Sequence, residues 1–289
     1  MSMRMLAEFL ERRNASFVVI LGTNEIASAV AVRLRRERYR VLMCHDPFPP
    51  VIRRGMAFYD VLFDDQVEID GVPGRLASTT LEIGEALAKG AGVTVTQLQL
   101  SDVIPLRVPD ILVDARIQKH RVTPDLRKTA GLSIGLGPNF NAGFNCDVAI
   151  ETHPAHTGEL IINGATRWAD GVPRYLGGVG RERFVYAARS GVWRTPLDIG
   201  ARVFKGFVMG RLDGLPVPAP MDGRLRGIAR DTVFMPEGVK FIEIDPRGTS
   251  ASWTGSDERG RTIAEATVAA ITTSFSPAVR KAPVTVTLH

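Results

Sequence analysis

The chain has 289 residues, 45% of them hydrophobic and 23% charged, which suffices for a buried core in two domains or in one large domain with an appendage. Lys and Arg outnumber Asp and Glu by 36 to 31, a formal net charge of +5. This mild excess suits an ordinary basic protein, or one with an anionic small ligand or an acidic partner. A nucleic-acid partner is not expected, because no long basic run occurs and the aromatic residues lie mostly in apolar segments.

The two cysteines, Cys44 and Cys146, are too few for a disulfide framework and fit a reducing compartment. The opening segment MSMRMLAEFLERR is charged throughout, unlike a signal peptide, and its apolar spacing predicts a short amphipathic helix. The apolar runs are much shorter than the roughly 20 residues that span a bilayer. We therefore expect a cytoplasmic protein without a membrane span.

The first 125 residues alternate between apolar strands and amphipathic helices. FVVIL at 17–21 and VLMC at 41–44 are predicted strands that flank a helix in which Ile26, Val30 and Leu34 recur every four residues. A strand–helix–strand unit of this length opens a parallel α/β domain. The later segments predict a helix over 53–63, a hairpin over 67–76, a helix over 81–91, and strands over 93–100 and 110–115.

From residue 131 onward short strands alternate with glycine-rich turns, and after about residue 180 the pattern is all-β. SDERGRTIAEATVAAITTSF predicts a last helix with Ser256 or Asp257 as its N-cap. The segment from SGVW to DGRLRGI resembles half of the barrel-sandwich hybrid of lipoyl and biotinyl carriers, without their modifiable lysine at a hairpin tip. We interpret it as a structural or docking module, with Arg226 as a docking residue.

The first strand–helix turn, GTNEIA, only partly matches a dinucleotide-binding turn. That fingerprint has glycines at the first, third and sixth positions, which here are Gly22, Asn24 and Ala27. Asn24 adds a side chain where the pyrophosphate approaches the backbone. Asp46 ends the second strand, where a ribose-binding acid would lie. The turn therefore indicates a Rossmann-like fold in which NAD(P) binding is not expected.

Several charged residues follow predicted strands or precede predicted helices. Arg53 and Arg54 would lie just before a helix N-terminus, where guanidinium groups and free amides suit a phosphate. The alternative is a solvated basic corner. Asp114 ends a predicted parallel strand at the edge where ligands bind, with Lys119 in the following loop. The alternative for Asp114 is a cap on the next turn.

The HPAH segment places His153 and His156 three residues apart, a spacing that could suit a metal on a helix. Pro154 argues against a helix, and Glu151 is the only adjacent acid, so we predict no metal site. The sequence contains no GxSxG elbow, no P-loop and no CxxC pair.

Several stretches together resemble the selenium-dependent molybdenum hydroxylase accessory proteins, a maturation family related in role to the xanthine dehydrogenase accessory factors. The resemblance covers roughly residues 17–272, and it includes His156 with Gly158. Its other stretches are PPVIRRGMAF, VEIDGV, DILVDARIQKH, IGLGPNFNAGFNCDVAIET, DGVPRYLGG, APMDGRLRG, IDPRG and SDERGRTIAEA. The chain departs from the family in its first turn, in GPNF, where the family has GPGF, and before His156.

The resemblance implies a ligand held by the glycine- and asparagine-rich loop. Asn139 and Asn141 would supply donors and acceptors, Gly137 and Gly143 close backbone approach, and His156 a proton donor. The alternative is that these residues only build tight turns. The complete candidate set for binding the cofactor is Arg53, Arg54, Asp114, Lys119, Gly137, Asn139, Asn141, Gly143, Glu151 and His156.

We expect a cofactor-handling accessory protein rather than a turnover enzyme. Its ligand would be the molybdenum pyranopterin cofactor or a nucleotide form of it, and its partner an apo molybdenum hydroxylase. The alternatives are an NAD(P)-linked enzyme and a pure scaffold, and a homodimer stays open. The fold class is α/β: a Rossmann-like domain (1–125), a ligand-loop region continuing it (126–180), a β-rich module resembling a barrel-sandwich hybrid (181–250), and a C-terminal helix and tail (251–289).

Overall fold

The structure, a computed structural model, describes residues 3–11, 16–63, 65–119 and 121–275. The described α-helices of the N-terminal part are α1 (Met3–Leu10), α2 (Glu25–Arg36), α3 (Thr80–Lys89) and α4 (Leu100–Val103). Its strands are β1 (Phe17–Leu21), β2 (Arg40–Cys44), β3 (Glu68–Ile69), β4 (Val72–Leu76), β5 (Val93–Thr96), β6 (Ile111–Asp114), β7 (Leu132–Leu136), β8 (Asn141–Ala142), β9 (Val148–Ile150), β10 (Leu160–Ile161) and β11 (Gly164–Ala165).

A nine-stranded sheet organises this part, in the order β10-β9-β7-β6-β1-β2-β5-β4-β3. The seven strands from β9 to β4 are mutually parallel, and β10 and β3 add antiparallel edges. The predicted α/β class with a parallel sheet is confirmed. Because β2 and β6 flank β1, the strand order reverses at the carboxyl end of β1, which is where such sheets bind ligands.

Helices cover both faces of the sheet, which explains why β1 is apolar throughout. Val18 and Ile20 pack into the core under α2, whereas Phe17, Val19 and Leu21 pack into the core under α1 and α3. The last helix, α5 (Glu258–Ser274), returns to this part and packs beside α2.

The β-rich part consists of two four-stranded antiparallel sheets, ordered β12-β19-β17-β14 and β16-β15-β13-β18. Trp193 and Phe241 meet edge to face in its core, with ring centroids 4.9 Å apart. Its strands are β12 (Phe184–Tyr186), β13 (Gly191–Arg194), β14 (Arg202–Val203), β15 (Val208–Leu212), β16 (Leu215–Pro218), β17 (Gly223–Ile228), β18 (Phe234–Met235) and β19 (Lys240–Asp245).

Most predicted elements are confirmed, including the hairpin of β3 and β4 and the N-cap Asp257, whose Oδ1 accepts from the Gly260 amide at 2.8 Å. Two predictions are wrong. The segment 53–63 forms two short 3₁₀ helices, because the Ala57 backbone is extended and the Phe58 amide donates to Ser28 Oγ on α2. The strand expected over 93–100 ends at Thr96, and α4 begins at Leu100.

Within the described part of the chain, no helix is both long and apolar enough to cross a membrane.

Candidate functional site

A cavity of about 1070 Å³ lies between the carboxyl edge of the parallel sheet and the β-rich part. Gly22 and Asn24 line it after β1, Arg116 after β6, and Glu151 after β9. Lys240 on β19 lines the opposite wall. A volume of this order fits a ligand of nucleotide or cofactor size. The cavity also coincides with the point where the strand order reverses.

The first turn is closed to a pyrophosphate by its own side chain. Asn24 Oδ1 accepts from the amides of Ile26 and Ala27, both at 3.0 Å, and so caps α2. Its Nδ2 donates to the Ala115 carbonyl at 2.7 Å, which ties β1 to β6. These two amides are the donors that a dinucleotide-binding turn offers to phosphate. Gly22 has φ +104°, a conformation that favours glycine, and a Cβ there would lie only 3.2 Å from Ala115 O.

The deepest charge in the cavity wall is Glu243, whose side chain is fully buried. Arg53 grips it with two hydrogen bonds, Nε to Oε2 at 2.7 Å and Nη2 to Oε1 at 3.1 Å. Arg183 and Arg226 approach Oε1 at 3.4 and 3.7 Å. Burial alone would raise the pKa of Glu243, but attraction to Arg53, Lys240 and Arg226 outweighs it and lowers the pKa to about 2. Glu243 is therefore an ionised anchor for its cations.

The cations around Glu243 outnumber the carboxylates that pair with them. Arg53 also bonds Glu25 at 2.9 Å, and Arg226 bonds Asp257 at 2.8 Å. We call five side chains the cation cluster: Arg53, Arg183, Arg226, Lys240 and Arg259, all of which line the cavity. Glu243, Glu25 and Asp257 balance three of these five positive charges, so two remain unbalanced. Such an excess in a partly desolvated wall attracts anions.

Repulsion among these cations adds to burial in lowering pKa values within the cluster. Burial, followed by repulsion from Arg53, lowers the pKa of Lys240 to about 8. The pKa values of Arg226 and Arg259 are lowered by the same two causes in the same order. Lys240 Nζ lies 4.4 Å from the centroid of the Phe184 ring, which also packs against Arg183. A bound anion would relieve this mutual repulsion.

Only some of the candidate binding residues lie at this cavity. Arg53, Lys119 and Glu151 line it. Glu151 is buried and accepts three backbone amides at 2.7 Å, those of Thr152, His153 and Arg167, so it orders the chain entering the cavity wall.

Arg54 and Asp114 lie elsewhere. Arg54 bonds Asp198 and the Ile228 carbonyl in the β-rich part, and Asp60 in its own part of the chain. Asp114 is buried and holds Arg116 through its backbone amide at 3.1 Å and its Nε at 2.9 Å. This geometry is the turn cap considered as the alternative for Asp114, and through it Asp114 places Arg116 at the cavity.

The side chains of the asparagine- and glycine-rich loop bond mainly to backbone groups of the loop itself and of the neighbouring segment. Asn139 Nδ2 donates to the carbonyls of Gln118 and Lys119 at 3.0 and 3.2 Å, and the buried Asn145 bonds the backbone of Asn141 and Asn139. The other members of the loop serve turns: Gly137 and Gly143 have φ of +93° and +81°. From this loop Pro138 lines the cavity, together with Arg53, whereas the loop candidates Gly137, Asn139, Asn141 and Gly143 do not.

The HPAH pair forms a turn rather than a helix. His153 lines the cavity, where its Nε2 lies 3.0 Å from Asp170 Oδ2. His156 is outside the lining and lies 3.3 Å from Glu159. Among the residues that the structure describes, no three His, Cys, Asp or Glu side chains are grouped to hold a metal ion. Both cysteines are buried away from the cavity, and burial raises the pKa of each thiol to about 12.

The sequence reasoning missed Glu243, Lys240 and Arg183, and it assigned Arg226 to docking. Arg226 is buried and faces the cavity, which corrects that assignment. A bulge between Leu225 and Gly227 in the pairing with β19 re-aims this position. Glu243 could have been found from the sequence, because it is a charged residue inside the apolar strand KFIEID. A buried charge requires partners of opposite charge.

These features define an α/β protein with an attached β-rich part and an anion-attracting cavity between them. No protein-family model matches the chain. It is 32% identical over 247 residues to a protein of Escherichia coli (strain K12) described as uncharacterized protein YqeB. The match covers 85% of this chain but 45% of that protein, so the chain spans about half the length of its relative.

Solved structures superpose only loosely. An aspartoacylase family protein from Mesorhizobium loti is 10% identical, with 80% of this chain and 84% of that one covered, at a TM-score of 0.25. The apo ectoine utilization protein EutE (DoeB) from Ruegeria pomeroyi is 12% identical, covering 80% and 86%, also at 0.25. Superpositions this loose assign neither a fold family nor an activity to this chain.

Proposed function

We propose that this chain is a cofactor-handling accessory protein whose cavity binds the molybdenum pyranopterin cofactor, or a nucleotide form of it, as cargo for a partner molybdenum hydroxylase. The cargo would be bound, protected, modified or inserted. The alternative is a nucleotide-dependent enzyme that uses the parallel sheet, and the capped amides at Asn24 weigh against it.

One observation carries the proposal. Each of the eight longer stretches that resemble the molybdenum hydroxylase accessory family contributes at least one residue to the same cavity. Arg53 comes from PPVIRRGMAF and Lys119 from DILVDARIQKH, for example, and Arg226, Arg247 and Asp257 come from the three C-terminal stretches. Segments spread over more than 200 positions thus meet at one place. The resemblance and the cavity therefore point to one function.

The chemistry of the cavity suits the phosphate of such a cargo. The cation cluster offers guanidinium forks and an ammonium group, which are the usual partners of phosphate oxygens. Neither thiol of the chain lines the cavity, so we expect no thiolate contact with the metal of this cargo.

The finer fold classes belong to the same proposal. We infer that the parallel sheet is a Rossmann-like variant in which the first turn has lost its phosphate site. We infer that the two-sheet part is a barrel-sandwich-like module, and that the protein works in the cytoplasm.

The test is to delete the gene and measure a partner hydroxylase. We expect the partner to be expressed but poorly active, with low molybdenum content, and complementation to restore both. Mass spectrometry of protein purified from a molybdenum-replete host should then identify a pterin phosphate among the co-purifying molecules. A fully loaded and active partner in the deletion strain would refute the accessory role and favour the nucleotide-dependent enzyme.

A further inference from the structure

The segment 167–180, RWADGVPRYLGGVG, crosses one side of the cavity and is here called the strap. It links β11 to the β-rich part, and residues from Arg167 to Gly177 line the cavity. Its Asp170 meets His153 at 3.0 Å, and its Arg174 bonds Glu258 at the start of α5 at 2.6 Å. The strap is thus attached to the loop after β9 and to the start of α5.

The strap presents two aromatic rings that the fold does not need for its core. Trp168 is 85% exposed and Tyr175 is 67% exposed, although both line the cavity. The other two tryptophans behave differently: Trp193 is fully buried, and Trp253 lies under the Arg224 guanidinium at 5.0 Å from its ring centroid. Exposed aromatic faces beside a cavity stack well on planar rings of ligands.

We propose that Trp168 and Tyr175 form a subsite for the planar heteroaromatic ring of a ligand whose phosphate lies in the cation cluster. The strap supplies ring faces, and the cluster supplies charge, in one continuous cavity. The ligand class is therefore a phosphorylated heterocycle, rather than a sugar phosphate or a free ring. This inference rests on the proposed anion-binding function of the cavity, and it adds the residues that contact the ring of the ligand.

Three commercially accessible probes separate the two halves. FMN carries a pteridine-containing ring together with a phosphate, ribitol 5-phosphate carries the phosphate without the ring, and riboflavin carries the ring without the phosphate. Affinities for the full chain are measured by calorimetry, and flavin fluorescence quenching reports stacking on an indole. We expect FMN to bind more tightly than either fragment.

Variants assign the ring contact. Trp168→Ala should weaken FMN roughly 10-fold, the usual scale for losing one stacking contact, and leave ribitol 5-phosphate unchanged. Trp168→Phe should retain most of the affinity. Phe144→Ala, at an exposed aromatic outside the cavity, is the matched control and should change nothing.

The outcomes distinguish the two proposals. If ribitol 5-phosphate binds but FMN binds no more tightly, or if Trp168→Ala leaves FMN affinity unchanged, the aromatic subsite is wrong while the anion site stands. If neither FMN nor ribitol 5-phosphate binds, the proposal of an anion-binding cavity is wrong, and the proposal of the aromatic subsite is wrong with it.

Discussion

The Nε of Arg53 donates to Oε2 of Glu243 at 2.7 Å, although the two residues are 190 positions apart in the chain. Arg53 follows β2 in the α/β part, and Glu243 lies on β19 in the β-rich part. The same guanidinium reaches Glu25 at the start of α2. This contact therefore joins the two parts of the fold in the cavity wall, and it holds Arg53, a member of the cation cluster, in place.

Replacing Arg53 by alanine should lower the free energy of unfolding by about 3 kcal/mol, the lower end for removing one partner of a buried ion pair. The lower end applies because Arg183 and Arg226 remain near Glu243. Urea unfolding measures the change. The control is Arg33→Ala, which breaks the more exposed pairs with Glu37 and Glu265 and should cost less than about 1 kcal/mol. Equal effects of the two substitutions would contradict the anchoring role of Arg53.

Phosphate affinity should fall as pH rises from 7 to 9, because the pKa of Lys240 is lowered to about 8. The ammonium is charged below that pH and neutral above it, so the anion loses one charged partner on the alkaline side. We expect roughly a tenfold loss for ribitol 5-phosphate, since a hydrogen bond to a charged group contributes about 1.5–3 kcal/mol. The ligand phosphate, with its second pKa near 6, keeps its charge over this range.

Lys240→Met is the matched variant for the pH profile. Its affinity should be low and flat between pH 7 and 9. A wild-type profile that stays flat, or a variant profile that falls in parallel with the wild type, would show that Lys240 does not contact the phosphate.

Asn24→Ala should destabilise the fold by about 1–2 kcal/mol, since the cap and the bridge to Ala115 are lost together. Thr79→Ala is the control: it removes the cap of α3, which satisfies one amide, that of Glu82, and should cost less. With its amides capped, the first turn of the wild-type protein should not support micromolar binding of NAD or NADP by calorimetry. Micromolar binding of either that survives Lys240→Met and Trp168→Ala would overturn the interpretation of the first turn.

Asn139→Ala and Asn141→Ala should differ. Asn139 holds the carbonyls of Gln118 and Lys119 and has φ +72°, so its loss should cost about 1 kcal/mol and weaken ribitol 5-phosphate binding through the displaced Lys119. Asn141 lies outside the cavity lining, and its substitution should have little effect on binding. Urea unfolding and calorimetry test both variants. Equal losses of binding would restore the idea that the loop contacts the ligand directly.

The local patterns were sufficient for most of the secondary structure. The apolar run of β1 and the four-residue spacing of Ile26, Val30 and Leu34 predicted a strand and a helix that both form, because their periodicity is fixed by backbone geometry. Asp257 was among the predicted caps because a short oxygen-bearing side chain before a helix has one common use. The prediction of a single helix over 53–63 was wrong because a tertiary hydrogen bond to Ser28 overrides the helical pattern.

Local sequence patterns were enough to predict an α/β protein whose first turn departs from the dinucleotide-binding pattern, since strand runs, helix spacing and the side chain of Asn24 are local properties. The sequence also placed Arg53 and Lys119 among the candidates, because the first precedes a predicted helix and the second follows a predicted strand, and it included Glu151 in the candidate set. The folded chain was needed to bring Arg53, Glu243 and Lys240 together, because a buried carboxylate and its cations are paired through space, here across 190 positions, which no local periodicity records.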